Sequence, residues 1–218
     1  MLIPVLTIDG PSGAGKGTVS RAVARYLQWH YLDSGSIYRS LAIAVIQAGM
    51  DVDDLLHIVQ LAENMQLEFD CGSELMVKLN TVDITPKLGT EATGKVASIV
   101  AAYPDVRAVL LQKQKDFQRL PGLVADGRDM GSVVFPDALH KVYLTASAAE
   151  RARRRYKQLI EKGIDANLAQ ITQEIEERDR RDTERATAPL KVPDGAVMID
   201  SSDLTISQVI DRVIELVR

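Results

Sequence analysis

The sequence predicts an α/β fold: a five-stranded parallel sheet with helices on both faces, a small mixed α/β insert and a short helical lid. Three observations carry this. Five short apolar runs alternate with helical patterns along the 218 residues, the order that buries a parallel sheet between two helix layers. The stretch 67–79 instead reads as two short alternating strands around a turn, an antiparallel unit set into the alternation. A Gly-rich segment follows the first strand and leads straight into a helix.

The elements follow in order. Residues 5–8 form a β-branched apolar run ending at Asp9. Residues 18–27 have helical spacing at Val19, Ala22, Val23 and Leu27. A second strand at 30–33 leads through Ser34-Gly35-Ser36, a turn and N-cap, to a helix over 37–48 that Gly49 stops. Residues 51–66 are expected to be helical, with Asp51, Asp53 and Asp54 at the positive end. Strands at 67–70 and 76–79 flank a hairpin turn at 71–74, inside an insert expected at about 63–101. Helices at about 90–101 and 104–119 precede strands at 123–126 and 141–144. Helices at 148–161 and 168–185, parted at Lys162-Gly163, precede a strand at 196–200 and a helix at 205–217. One domain over 1–218 accommodates all of this.

Composition narrows the function. With 46% hydrophobic and 26% charged residues the chain affords a core. A net charge of −4 argues against a protein that coats nucleic acid. The one cysteine, Cys71, excludes an intrachain disulfide. There is no basic leader and no run of about 18 apolar residues. A cytoplasmic protein without nucleic-acid or membrane partners is expected. His30, His57 and His140 lack metal-ligand spacing, so no metal site built from the protein alone is expected. Charge is uneven: 51–90 carries eight acids and two bases, and 150–191 eleven bases and nine acids. The arginines of the second segment are either a solvated face or ligands for anions.

The Gly-rich segment is Gly10-Pro11-Ser12-Gly13-Ala14-Gly15-Lys16-Gly17-Thr18. It fits G-x-x-x-x-G-K between a strand and a helix, the context a phosphate-binding loop requires. Backbone N–H groups and the helix N-terminus cradle phosphates, and Lys16 reaches the β/γ oxygens. The hydroxyl that commonly ligates Mg2+ directly after the lysine is displaced to Thr18. Mg2+ is therefore expected to be held mainly by nucleotide phosphates and water. Gly17-Thr18 resembles the nucleoside monophosphate kinases rather than the GTPases, and no Asn-Lys-x-Asp guanine motif is found.

Asp9, Asp33 and Asp126 end three strands, and ligands bind at such carboxyl ends. Beyond two of those ends stand Arg39 and Arg128, placed for an acceptor phosphate. Counting about 100° per residue from Arg178, Asp182 falls at about 40°, Arg181 at about 300° and Arg185 at about 340°. Three arginines and an aspartate on one face suit anion binding, or a salt-bridged surface helix. Arg151, Arg154 and Arg155 fall within about 100° of one another, with Arg153 turned away. They are placed to close over ATP, with Gly163 as a break between lid helices.

The segments 33–39, 126–131 and 178–190, together with the loop at 7–18, closely resemble the bacterial cytidylate kinases, from about residue 3 to 217. The resemblance implies a P-loop kinase that transfers the γ-phosphoryl group of ATP to CMP or dCMP. It implies a nucleotide-binding region at 36–101 and a lid with substrate-binding helices at 150–188. It makes Ser34, Ser98, Arg107 and Asp129 the readers of cytosine and its surroundings; a carboxylate accepts from the N4 amino group and repels the uracil oxygen. It gives Arg178 and Asp182 the ribose hydroxyls, and Arg181 and Arg185 the phosphates. Arg151 is expected on the adenine side, and Arg154 or Arg155 on the transferring group. A monomer is expected. The alternatives are a kinase for UMP or AMP, or a regulatory P-loop module, which would leave the arginines unexplained.

Overall fold

The computed structural model describes residues 2–71, 75–161, 163–185 and 187–218. Strand β1 (Val5–Asp9) leads into helix α1 (Lys16–Leu27), and β2 (His30–Asp33) into α2 (Ser34–Gln47). Helix α3 (Leu55–Asn64) precedes β3 (Leu67–Cys71), β4 (Leu75–Leu79), β5 (Val82–Asp83), the single turn α4 (Thr85–Leu88), α5 (Glu91–Val100) and α6 (Pro104–Lys115). Then come β6 (Leu123–Gly127), a π-helical turn at Met130–Val134, β7 (His140–Thr145), α7 (Ala148–Glu161), α8 (Leu168–Glu184), β8 (Val197–Asp200) and α9 (Ile206–Val217).

The main sheet has five strands in the order β2–β6–β1–β7–β8, every pair parallel. Alternating side chains divide its core as the pleat requires. Val5, Leu32, Leu123 and Ala125 pack with α2, α3, α5 and α6 on one face. Leu6, Ile8, Val124, Val142 and Leu144 pack with α1 and α9 on the other. Every residue of β1 and β6 is buried, so these strands read as mainly apolar runs leading to Asp9 and Asp126. Register aligns Asp33 with Asp126 and Asp9 with Gly127, bringing the strand ends onto one rim.

The insert is a three-stranded antiparallel sheet, β3–β4–β5. Its Val77, Leu79, Ile84 and Leu88 join the same cluster as Ile37 and Leu41 of α2. Helix α2 is therefore apolar nearly all round, as a helix enclosed on several sides must be. Of the hairpin turn expected at 71–74, Cys71 belongs to β3 and residues 72–74 lie outside the described residues.

Several boundaries differ from expectation for local reasons. Helix α2 begins at Ser34, not 37, because β2 runs straight into it: Asp33 is the N-cap and accepts from the Ser36 N–H at 3.2 Å. Helix α3 begins at Leu55 because Asp51 accepts from the Asp53 N–H at 3.1 Å, a local turn, leaving Asp54 as the cap. Gln66 is withdrawn from that helix by its N–H bond to Asn80 Oδ1 at 2.8 Å. Arg185 is the extended residue that ends α8. Short β5, α4 and the π-helical turn carry no periodic signal and were not expected. Helices α7 and α8 share a small cluster of their own, Ala152, Ile171 and Ile175. Among the described residues no helix is long and apolar enough to cross a membrane.

Candidate active site

The loop between β1 and α1 has left-handed backbone at Gly10 (φ 147°), Gly13 (φ 82°) and Gly15 (φ 94°). Gly10 is also forced by space, since a Cβ there would stand 2.0 Å from the Leu144 carbonyl oxygen. Lys16 is buried, and its ammonium donates to the Pro11 carbonyl at 3.0 Å, folding back along the loop. Burial holds its pKa below the usual lysine range, against the pull of Asp126. Gly17 lies against that same carboxylate: a Cβ there would stand 3.4 Å from Asp126 Oδ2. Thr18 is exposed on the first turn.

The three strand-end carboxylates have different surroundings. Asp9 is fully buried and accepts N–H bonds from Met130 and Gly131, both at 2.8 Å. Burial outweighs those bonds and raises its pKa to about 6. Asp126 is buried next to Lys16 and receives the Tyr31 hydroxyl at 3.4 Å. Burial pushes its carboxyl well above the usual range, and Lys16 opposes this. Asp33 holds the start of α2 and accepts from the Ser36 hydroxyl at 2.7 Å.

The acceptor-side residues gather beside this rim. Arg107 donates to Asp129 at 2.6 Å, with side-chain exposures of 11% and 9%. The same guanidinium stands 5.7 Å from the Tyr38 ring centre. Arg185 approaches Asp129 to 3.8 Å, and its Nε donates to the Ala188 carbonyl at 2.6 Å. Arg128 is paired with Asp182. Arg178 makes no hydrogen bond or ion pair among the described residues, and burial, then Arg128, depresses its pKa to about 10. Arg39 donates to the Leu88 carbonyl of the insert, and burial also lowers its pKa. The result is a partly desolvated cluster of arginines, with Asp129 and Asp182 paired into it and Asp33 acting on Arg39. Ser34 is buried at the start of α2. Ser98 is exposed and donates to the Gly94 carbonyl at 3.0 Å. It lies one turn beyond Gly94, whose missing Cβ would stand 3.7 Å from the Arg39 guanidinium.

The expected face of α8 is found in part. Asp182 turns to Arg128, and Arg185 returns towards Asp129 from beyond the helix end. Arg181 points outward, 68% exposed, 4.0 Å from Glu177. On α7, Arg155 is exposed and makes no ion pair among the described residues, while adding to the positive field at Arg39. Arg154 is bound to Glu150 at 2.9 Å and to the Ser201 carbonyl at 2.6 Å. Arg151 does not stand open to a nucleotide. Its guanidinium donates to the carbonyls of Ala146 (2.9 Å) and Ser12 (3.0 Å) and pairs with Asp179.

Four participants were not among the expected site residues: Tyr38, Asp179, Glu150 and Ser201. Tyr38 precedes Arg39 in a recognised segment, and that adjacency was the available clue. Asp179 is turned about 100° from Arg178 on the helix, so the wheel that groups Arg178 with Asp182 sets it aside. Among the described residues no three acidic, histidine or cysteine side chains cluster as a metal cage.

Comparison with known proteins fits this geometry. The family model described as cytidylate kinase matches residues 6–218. A cytidylate kinase from Methylococcus capsulatus (strain ATCC 33009 / NCIMB 11132 / Bath) is 56% identical over 216 residues, covering 99% of this chain and 97% of that protein. Among solved structures, TT1252 from Thermus thermophilus is similar with a TM-score of 0.51 at 14% identity, over 100% of this chain and 97% of the other, a likeness of fold alone. The matched span takes in the loop from its strand onward, the Arg107–Asp129 pair and the arginines of α7 and α8, and the chain belongs to the cytidylate kinase family.

Proposed function

We propose that the protein transfers the γ-phosphoryl group of ATP to CMP or dCMP, giving ADP and CDP or dCDP, within pyrimidine nucleotide metabolism. The observation that carries this reading is the buried Arg107–Asp129 pair beside a cluster of arginines and the Gly-rich loop that holds Lys16. A base reader, an acceptor-phosphate pocket and a donor cradle thus stand on one rim.

In this reading the loop 10–18 and Lys16 hold the donor phosphates, with Arg151 supporting the loop through Ser12. Arg39 and Arg128 hold the acceptor phosphate, with Arg185 and Arg181 adding positive charge. Arg178 and Asp182 take the ribose hydroxyls. Asp129 accepts from cytosine N4 while Arg107 donates to the base; Ser34 and Ser98 complete that end. The acceptor phosphate oxygen is already anionic at neutral pH. It attacks the γ-phosphorus in line, the bond to the β-phosphate oxygen breaks, and no covalent enzyme intermediate or general base is required. Arg154 and Arg155 close from α7 over the transferring group, with water excluded.

Mg2+ would neutralise charge on the donor phosphates. Asp126 fits such an ion: it is a buried carboxylate at the rim, beside Gly17, and its side chain takes one hydrogen bond among the described residues, from Tyr31. Asp126 and Asp33 are the residues that would accept from waters around the ion. The segment 36–101 is assigned to monophosphate binding and 150–188 to the lid and substrate helices. The protein is assigned to the cytoplasm as a monomer.

The test is a coupled assay of ADP release with CMP, dCMP, UMP, AMP and water as acceptors. Turnover with CMP and dCMP well above the rest is expected. Equal kcat/KM for CMP and UMP sinks the base-reading assignment, and release with water alone sinks the kinase.

A further inference from the structure

The geometry points to Asp179 as a positioning residue that links the acceptor-side helix to the phosphate loop through Arg151, and this rests on the function proposed above. Arg151 is 4% exposed, and its donors reach three separate elements. Nε donates to Ala146, just past β7, at 2.9 Å. Nη1 donates to the Ser12 carbonyl in the phosphate loop at 3.0 Å and to Asp179 Oδ1 at 3.0 Å. Nη2 donates to Asp179 Oδ2. The loop also rests on the stem of this arginine: a Cβ at Gly13 would stand 3.2 Å from Arg151 Cβ.

Asp179 sits on α8 directly after Arg178 and three residues before Asp182. Its neighbours face the acceptor, and Asp179 faces the donor side. A force that draws Arg178 and Asp182 onto an acceptor is therefore transmitted by a two-pronged ion pair to the Ser12 carbonyl. Planar pairing of this kind fixes direction as well as distance. The alternative is that the pair only holds the two lid helices together. That task is already served by Ala152, Ile171 and Ile175, with Tyr156 and Leu159 packed against them. A partly buried ion pair also adds little net stability of its own.

The inference predicts reciprocal coupling between the two substrates. Calorimetry would give the Kd of CMP alone and with a saturating non-hydrolysable ATP analogue. In the wild type the analogue is expected to tighten CMP by about 5–150-fold, the usual span of such coupling. In Asp179→Asn most of that gain should be lost and kcat lowered, with CMP affinity in the absence of the analogue close to wild type and the Tm reduced, because buried Arg151 keeps only a neutral acceptor. Asp179→Glu should restore part of the gain, and it carries the same comparison if the Asn variant does not fold. Undiminished coupling in the variants, or no coupling in the wild type, overturns the inference. Failure of the function proposed above shows differently, as a wild type that does not turn over CMP.

Discussion

Replacing Asp129 by Asn isolates the charge of the base reader from its shape. Asp129 lies 2.6 Å from Arg107 Nη2 and 3.8 Å from Arg185 Nη2, and that Arg185 nitrogen has no hydrogen-bond partner among the described residues. Removing one partner outright from a buried pair costs about 3–5 kcal/mol. Asn keeps an acceptor oxygen against Arg107, so a stability loss of about 1–3 kcal/mol is expected. The cytosine N4 group then loses a charged acceptor, an interaction of about 1.5–3 kcal/mol. That corresponds to a fall of about 10–150-fold in kcat/KM for CMP. UMP is spared, because the amide can present its N–H to the uracil oxygen. Coupled ADP-release kinetics on both nucleotides read the ratio, while urea unfolding reads the fold. A CMP:UMP ratio equal to wild type, or equal losses on both substrates, refutes the assignment of Asp129 to the base.

Three further outcomes are expected. Arg155→Ala should lower kcat by about 10³-fold, the lower end for arginines in related transfers, with Tm unchanged because the side chain is exposed and unpaired among the described residues; an unchanged kcat in steady-state assays removes it from the transfer. Arg178→Met should raise the stability of the ligand-free protein by about 1–3 kcal/mol, since burial and the arginines around it depress its pKa to about 10. The same change should weaken CMP binding, and a less stable variant in urea unfolding would contradict the account of a charge held for its ligand. Asp9 has a folded pKa of about 6 against 3.8. Its stabilising contribution is complete below about pH 4 and falls as pH rises through about 6, by about 3 kcal/mol. Asp9→Asn should remove that slope, so the wild-type minus variant difference from unfolding at pH 4 and pH 6 should fall; a constant difference refutes it.

What was legible in the sequence follows from how local each cause is. The place and backbone of the Gly-rich loop were legible, because its glycines answer to backbone angle and close approach and its lysine to spacing. The parallel sheet was read from buried strands, whose apolar runs differ from helical spacing. The start of α2 was misplaced because Asp33 serves both as the end of a strand and as a cap, and only the observed geometry decides between them. Arg181 was grouped inward by angle alone, and it finds Glu177 at the surface instead. Arg151 was expected over the adenine, but its partner Asp179 lies 28 residues away on another helix, and no periodicity announces a pair of that kind. The roles of Asp9 and Asp126 show a partial signal: their place at strand ends was visible, and which backbone groups or side chains they hold was not.

The adjacency of β1 and β6 has a consequence for how this chemistry is adjusted. Asp9 pairs in register with Gly127, so the Gly-rich loop starting at Gly10 and Arg128, proposed for donor and acceptor, spring from neighbouring points about 4.8 Å apart. That spacing is a ruler made of backbone hydrogen bonds, and it is present before either nucleotide arrives. In the proposed kinase the lid and the insert are a clock beside it: their part is how often both substrates are enclosed, not how far apart the anchors stand. On the proposed function, changes in α7, α8 or the insert are expected to alter turnover and acceptor preference, while the spacing of the two anchors is set by the sheet.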